Sequence, residues 1–132
     1  MGTALITGAS AGLGRELSWQ LAESGHDLVL VARDEPRLET LAAQLRASAG
    51  VHVEVLRADL SVDEDVERVA ARVRAPERPV VLLVNNAGYG IPQSFTRSDL
   101  DVEVAALDVM VRAVMVLTRA ATDAMVPAGR GA

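Results

Sequence analysis

The sequence predicts an α/β fold, a doubly wound parallel sheet truncated after a fourth strand and a long helix. Three observations predict it. Four apolar runs of about five residues alternate with segments whose apolar residues recur at helical spacing. The second run, Leu28-Val29-Leu30-Val31-Ala32, is apolar throughout, as a strand covered by helices on both faces must be. A glycine-rich turn follows the first run directly, between strand and helix.

Each element has its own signal. Ala4 to Thr7 predicts a buried first strand. Leu13, Leu17 and Leu21 recur every four residues and predict the buried stripe of a helix that Gly25 ends; Trp19 falls off that stripe and is expected to cover helix surface. The second helix carries Leu38, Leu41, Ala42 and Leu45, and Gly50 terminates it. From Val51 to Leu56 the pattern alternates, with Val51, Val53 and Val55 on one face and His52 and Glu54 on the other, which predicts an edge strand. Ser61 with Glu64 reads as a capping box for a third helix that buries Val62, Val66, Val69, Ala70 and Val73. Pro76 and Pro79 break it before a fully apolar fourth strand, Val80 to Val84.

After a loop rich in turn formers, a long helix is predicted from about Asp99 to Met125. Asp108, Arg112, Arg119 and Asp123 fall within roughly a 60° arc of an ideal α-helix. Nearly everything else from Val109 to Ala121 is apolar or small, so this helix is expected to be buried on two sides. One side packs on the sheet, and the other needs a partner.

Composition narrows the function. With 132 residues, half of them hydrophobic, the chain suits one domain spanning residues 1–132. A net charge of −5 argues against nucleic acid and anionic membrane as partners. The absence of cysteine excludes disulfides, zinc–thiolate sites and thiol catalysis, and two histidines, His26 and His52, make a metal site unexpected. All thirteen basic residues are Arg, so no lysine amine serves any mechanism within these residues. The N-terminal apolar run is stopped by Gly8 and lacks a basic flank, and Ile6 stands where a myristoylation signal wants Ser or Thr; a cytoplasmic protein is expected.

The most specific feature is Thr7-Gly8-Ala9-Ser10-Ala11-Gly12-Leu13-Gly14. Gly8 permits a tight turn out of the strand, Gly12 lets backbone approach a pyrophosphate, and Gly14 allows helix to pack closely on strand. Amides at the helix N-terminus then face the phosphates, and the helix dipole favours their charge. Further along, Arg33 follows the second strand, Asp59-Leu60 the third, and Asn85-Asn86-Ala87-Gly88 the fourth. The Gly-x-x-x-Gly-x-Gly spacing preceded by Thr, with these three segments in order at strand ends, resembles the short-chain dehydrogenase/reductase family from Thr3 to about Met125.

That resemblance implies a Rossmann-like, NADP-binding domain, here partial. It implies that Asp59 hydrogen-bonds the adenine amino group and that Leu60 packs near the ring. It implies that Asn86, Ala87 and Gly88 steady the central sheet and line the adenosine ribose, with Thr7 tying the first strand to them. Charge bears on the choice of cofactor. An NAD enzyme places an acid at the end of the second strand, but here Ala32-Arg33 offers a guanidinium fork suited to a 2′-phosphate, to which Ser10 adds a hydroxyl. NADP(H) is therefore expected over NAD(H).

The family's catalysis rests on Ser and Tyr-x-x-x-Lys, with an Asn upstream on the long helix. None has a counterpart. Tyr89 is the only tyrosine and is expected to be a loop residue near the cleft mouth, and Met110, eight residues before Thr118, stands at the Asn position. No catalytic residue is assigned. The expected function is that of the cofactor-binding part of an oxidoreductase that moves hydride between nicotinamide and a carbonyl or hydroxyl carbon of a small molecule. The alternatives are a non-catalytic NADP(H)-binding module and an inactive truncated fragment. In this family the long helix packs on its copy in a neighbouring subunit, so a homo-oligomer through that helix is expected, with the edge of the fourth strand as a second sticky surface.

Overall fold

A computed structural model describes all residues, 1–132. Its strands are β1 (Thr3–Thr7), β2 (Asp27–Ala32), β3 (Val53–Arg57) and β4 (Val80–Val84). Its helices are α1 (Gly12–Glu23), α2 (Glu35–Ala49), α3 (Asp63–Arg74), α4 (Leu100–Leu107) and α5 (Ala113–Ala128); a π turn, Asp108–Arg112, joins the last two into one continuous helix. The strands are parallel in the order β3-β2-β1-β4, and the register runs from Thr3 opposite Asp27 to Thr7 opposite Val31. β3 is an edge strand, as its alternation predicts.

The sheet is covered on both faces. Ala4, Ile6, Leu28 and Leu30 face Ala22 of α1 and Leu38, Leu41, Ala42 and Leu45 of α2. Leu5, Val29 and Val31 face Val66, Val69, Ala70 and Val73 of α3, with Ala113, Leu117 and Ala120 of α5. Strand period 2 sends alternate residues of β1 and β2 into two separate cores, which is why Ala4 to Ile6 and Leu28 to Val31 are apolar without alternation. Because the chain returns past β1 to add β4, the order reverses between β1 and β4, and a crevice opens beyond their carboxyl ends.

Helix α1 differs from expectation. Leu13 is 75% exposed, and the buried positions are Gly14, Ser18 and Ala22, one residue round from the leucine stripe. Close approach decides this. A Cβ on Gly14 would overlap the carbonyl of Gly8, so only small side chains fit beneath the helix. The Ser18 hydroxyl, fully buried, donates to the Gly14 carbonyl at 2.7 Å. Trp19 and Leu21 pack against the flank of the core rather than covering open surface.

The entry to α3 differs too. Its N-cap is Val62, which is exposed, with no side-chain cap. Ser61 instead donates its hydroxyl to Asp59 Oδ1 at 2.7 Å, and its amide reaches the same oxygen at 3.0 Å. Ser61 thus belongs to the Asp59 turn, and the helix starts one residue later than a Ser61 cap would place it. Asp65 closes the turn by accepting the Asp59 amide at 2.7 Å.

The long helix is buried on one side only. Ala106, Val109, Ala113, Leu117, Ala120 and Ala121 face the core, while Leu100, Val104, Leu107, Val111 and Met115 are exposed. Arg112 and Asp123 both pair with α3, through Asp63 and Arg74 respectively, and Arg119 bonds Asp123 along the helix. At β4 the edge is not bare. Ala132 donates to the Val81 carbonyl at 3.0 Å and accepts from the Leu83 amide at 2.9 Å.

Two outcomes follow from this packing. Ala22→Leu should destabilise the chain by about 1–3 kcal/mol through overpacking, whereas Leu13→Ala should change stability by no more than about 0.5 kcal/mol. Urea unfolding of both variants reads the difference, and a costly Leu13→Ala with a neutral Ala22→Leu would restore the leucine face. The second outcome is an acid limb. Hydrogen bonds from Ser61, Arg112 and Arg68, respectively, hold the carboxyls of Asp59, Asp63 and Asp65 below their usual 3.8. Folded values below unfolded ones add stability that is complete above the unfolded value and is lost as pH falls through the folded values. Thermal melts should therefore drop as pH falls below about 4, and Asp65→Asn should flatten that drop.

Candidate functional site

The site is built around Thr7. Its side chain, 1% exposed at the end of β1, accepts from the amides of Asn86 and Ala87, each at 3.0 Å, and donates to the Val84 carbonyl at 3.3 Å. One hydroxyl thus uses its donor and both lone pairs. Asn86 answers with its own amide, which donates to the Thr7 carbonyl at 3.1 Å and the Gly8 carbonyl at 3.3 Å. The first turn and the exit of β4 are locked together at the sheet's reversal point.

The glycines fit that lock. Gly8 has φ +66°, and a Cβ there would lie 2.9 Å from both Ala87 Cα and Asn86 Nδ2. Gly12 also has positive φ, +55°, yet nothing lies within 4 Å of its missing Cβ. Gly8 is therefore required by the protein's own packing, while Gly12 leaves open space at the start of α1. That helix has no side-chain cap and no acidic residue in its first turn. Its first-turn amides have no intrahelical partner, so they are donors available to an anion, with the helix dipole behind them.

A cleft of about 760 Å³ opens at this point. Gly8, Ser10, Gly12, Leu13, Arg33, Asp59, Leu60, Asn86, Ala87 and Gly88 all line it, gathered from the ends of four strands. Thr7 and Gly14, the other two residues singled out from the sequence, stand behind the wall and shape it. Tyr89 lies at the cleft, half-exposed, as expected. Arg37, Ala105 and Val109 also line it and were not singled out from the sequence. Arg37 carries a signal of a kind, since Asp34 caps α2 by accepting the Arg37 amide, which sets Arg37 in the first turn of α2, at the cleft. Ala105 and Val109 have none, because the π turn that sets their direction leaves no mark in hydrophobic spacing.

Charge divides the cleft. Arg33 and Arg37 sit with Ser10 on the side of the glycine turn. Asp59 faces them from the end of β3. The Ser61 hydroxyl chiefly holds its carboxyl below the usual range against the opposing effect of burial, helped by the Ser61 amide and the charge of Arg33. Both Ser61 bonds fall on Oδ1, which leaves Oδ2 without a protein partner. Met110, on the π turn, lies against Gly88, with its sulfur 3.5 Å from where a Cβ would be. Asn85 reaches the long helix through Thr118 Oγ1 at 3.2 Å. No cluster of His, Cys, Asp or Glu is placed to hold a metal ion, and no helix is long and apolar enough to cross a membrane.

A dinucleotide fits these donors. The bare amides and open Gly12 suit a pyrophosphate, the Arg33 fork suits a further phosphate, and Asp59 Oδ2 suits an amine donor.

Known proteins resemble the chain over nearly its whole length. Structurally, it superposes with a TM-score of 0.95 and 40% identity on a short-chain dehydrogenase from Sphingobium yanoikuyae in complex with NADPH, covering 99% of this chain and 51% of that one. A bulky-bulky ketone specific alcohol dehydrogenase from Comamonas testosteroni matches with a TM-score of 0.95 and 34% identity, over 99% of this chain and 52% of its own. In sequence, a short chain dehydrogenase of Pseudocercospora fijiensis is 36% identical over 132 residues, 98% of this chain and 42% of its own length. A very-long-chain 3-oxoacyl-CoA reductase of Podospora anserina is 42% identical over 113 residues, 82% of this chain and 32% of its own. The chain thus spans about half the length of these structures, and less of these sequence relatives. The short chain dehydrogenase family model matches residues 2–132. Its match takes in the glycine turn, the strand-end residues and the helix that walls the cleft, and to that family the chain belongs.

Proposed function

We propose that these residues bind NADP(H) in preference to NAD(H) and form the cofactor-binding part of an oxidoreductase acting on carbonyl or alcohol groups of a small molecule. One observation carries the reading. The end of β2 presents Arg33, with Ser10 and Arg37 on the same cleft, where selection of a free 2′-hydroxyl would want an acid. The NADPH complex of the Sphingobium relative supports the same choice.

Roles follow from chemistry. The first-turn amides of α1 and Gly12 hold the pyrophosphate, and Leu13 covers it. Arg33 and Ser10 hold the 2′-phosphate. Asp59 Oδ2 accepts from the adenine amine, Leu60 packs on the ring, and Asn86, Ala87 and Gly88 border the ribose. The bound cofactor supplies hydride exchange at its nicotinamide. The chain contains no Lys and its only Tyr is Tyr89, so no residue here is assigned to move the substrate's proton. The cytoplasmic placement expected from the sequence belongs to the same proposal.

The exposed face of the long helix supports a second copy of this chain as partner. Leu100, Val104, Leu107, Val111 and Met115 follow one another at spacings of three and four along one side, with exposures from 43% to 71% across the exposed apolar residues of this helix up to Met115. Full burial of an exposed side chain of this kind is worth about 1.5–3 kcal/mol, and completing the burial of these partly covered ones would contribute a share of that to association.

Calorimetric titration tests the cofactor reading. NADPH should bind more tightly than NADH, and Arg33→Ala should weaken NADPH by about 1.5–3 kcal/mol, the range for hydrogen bonds to charged groups. Equal affinities of the unaltered chain for both would sink the preference. For association, light-scattering chromatography at tens of micromolar should find more than one copy. Leu107→Glu with Val111→Glu should shift the population towards monomer. A sharp monomer before substitution would refute the helix interface.

A further inference from the structure

One contact crosses the mouth of the cleft. The Arg33 guanidinium carbon lies 5.9 Å from the centre of the Tyr89 ring. The two residues come from opposite sides of the sheet's central strand. Arg33 leaves the end of β2, and Tyr89 follows Gly88 in the loop after β4. Both line the same cleft. We propose that Tyr89 is a positioning residue for cofactor selectivity, its ring holding the Arg33 guanidinium where a 2′-phosphate is received. The inference rests on the NADP(H) reading and extends it to a residue outside the phosphate-binding segments.

Three features favour it. A guanidinium held against a ring face keeps its N–H donors directed outward in its own plane, so the contact orders the fork without consuming it. No carboxylate forms an ion pair with that fork, and Asp59 acts on it only through charge at longer range. Asp34, the acid next in sequence, caps α2 and pairs with Arg37 at 3.9 Å. The Tyr89 hydroxyl makes no hydrogen bond to the protein, so the ring is the part of the side chain that acts, although Tyr89 is 39% exposed. Unrestrained, Arg33 would sample many rotamers at an exposed strand end and would lose that freedom on binding.

Titration of NADPH and NADH into the full chain provides the test, with Tyr89→Leu, Tyr89→Phe, Arg33→Ala and the Tyr89→Leu/Arg33→Ala double variant. Tyr89→Leu should weaken NADPH about two- to fivefold, the worth of an exposed cation–π contact, and leave NADH unchanged. Tyr89→Phe should bind NADPH as the unaltered chain does, and Tyr89→Leu should add nothing once Arg33 is gone. Equal weakening of both cofactors, or the same loss with Arg33 absent, would make Tyr89 a loop-packing residue and overturn the proposal. So would failure of Tyr89→Phe to bind like the unaltered chain. If Arg33→Ala lowers NADPH affinity but Tyr89→Leu does not, this inference alone fails. If Arg33→Ala changes nothing, the NADP(H) reading fails with it. Should Tyr89→Leu not fold, Tyr89→Gln removes the ring from the same loop and is read in the same way.

Discussion

The architecture of this cleft depends on a single buried hydroxyl. Thr7 ends the central strand and satisfies two amides and one carbonyl of the segment leaving β4. Without it, those groups would sit at the sheet's reversal point unpaired, and buried unpaired amides are costly. Asn86 completes the arrangement by bonding back to the carbonyls of Thr7 and Gly8. The turn from strand to helix and the exit of β4 therefore move as one body. Gly8 must lack a side chain because this lock brings the Asn86-Ala87 backbone against it. Gly14 must lack one because the helix then descends onto the same turn.

From that lock the rest of the wall follows. Tight descent of α1 puts small residues beneath the helix and turns Leu13 outward to the cleft. Parallel strands end on one side, so Arg33, Asp59 and Ala87 arrive at one crevice from three different strands without any local sequence relation. The helix on the far wall carries its π turn at this level. There Val109 faces the core and the cleft, and Met110 is laid against Gly88. A π turn inside an α-helix is rare and often accompanies a functional site, and here it falls at the edge of the cleft.

Much of this was legible in the sequence, for a physical reason. Period-2 and period-3.6 patterns report burial on a face; α2 and α3 each have one core to face, and β2, with a core on either side, shows an unbroken apolar run from Leu28 to Val31. Leu38, Leu41, Ala42 and Leu45 are all buried as the pattern requires. Legibility failed where close contact overrode hydrophobicity. Leu13, Leu17 and Leu21 are the more apolar face of α1, yet Gly14, Ser18 and Ala22 are the face that fits. Ser61 has the spacing of a cap, but it is bonded into the Asp59 turn and the helix starts one residue later, with Val62 at the cap. Of the residues lining the cleft, those at strand ends could be named from motif order, while Arg37, Ala105 and Val109 depend on helix geometry that spacing does not encode.

The distribution of charge makes the cleft more than a geometric gap. The chain carries a net charge of −5, so its average field repels a polyanion. Locally the sign is reversed, because Arg33, Arg37 and the N-terminus of α1 converge on one side of the opening. Arg15 joins Arg37 along the adjoining groove between α1 and α2. Acids nearby are engaged elsewhere. Asp34 accepts from the Arg37 amide as the cap of α2, and Asp59 spends one oxygen on Ser61. Asp59 Oδ2 is left to face the opening, across from the cations. A ligand complementary to such a field carries its negative charge at the glycine turn and a neutral hydrogen-bond donor at the far end. The polarity of the site is therefore a consequence of which carboxylates the fold has already occupied, more than of how many it contains.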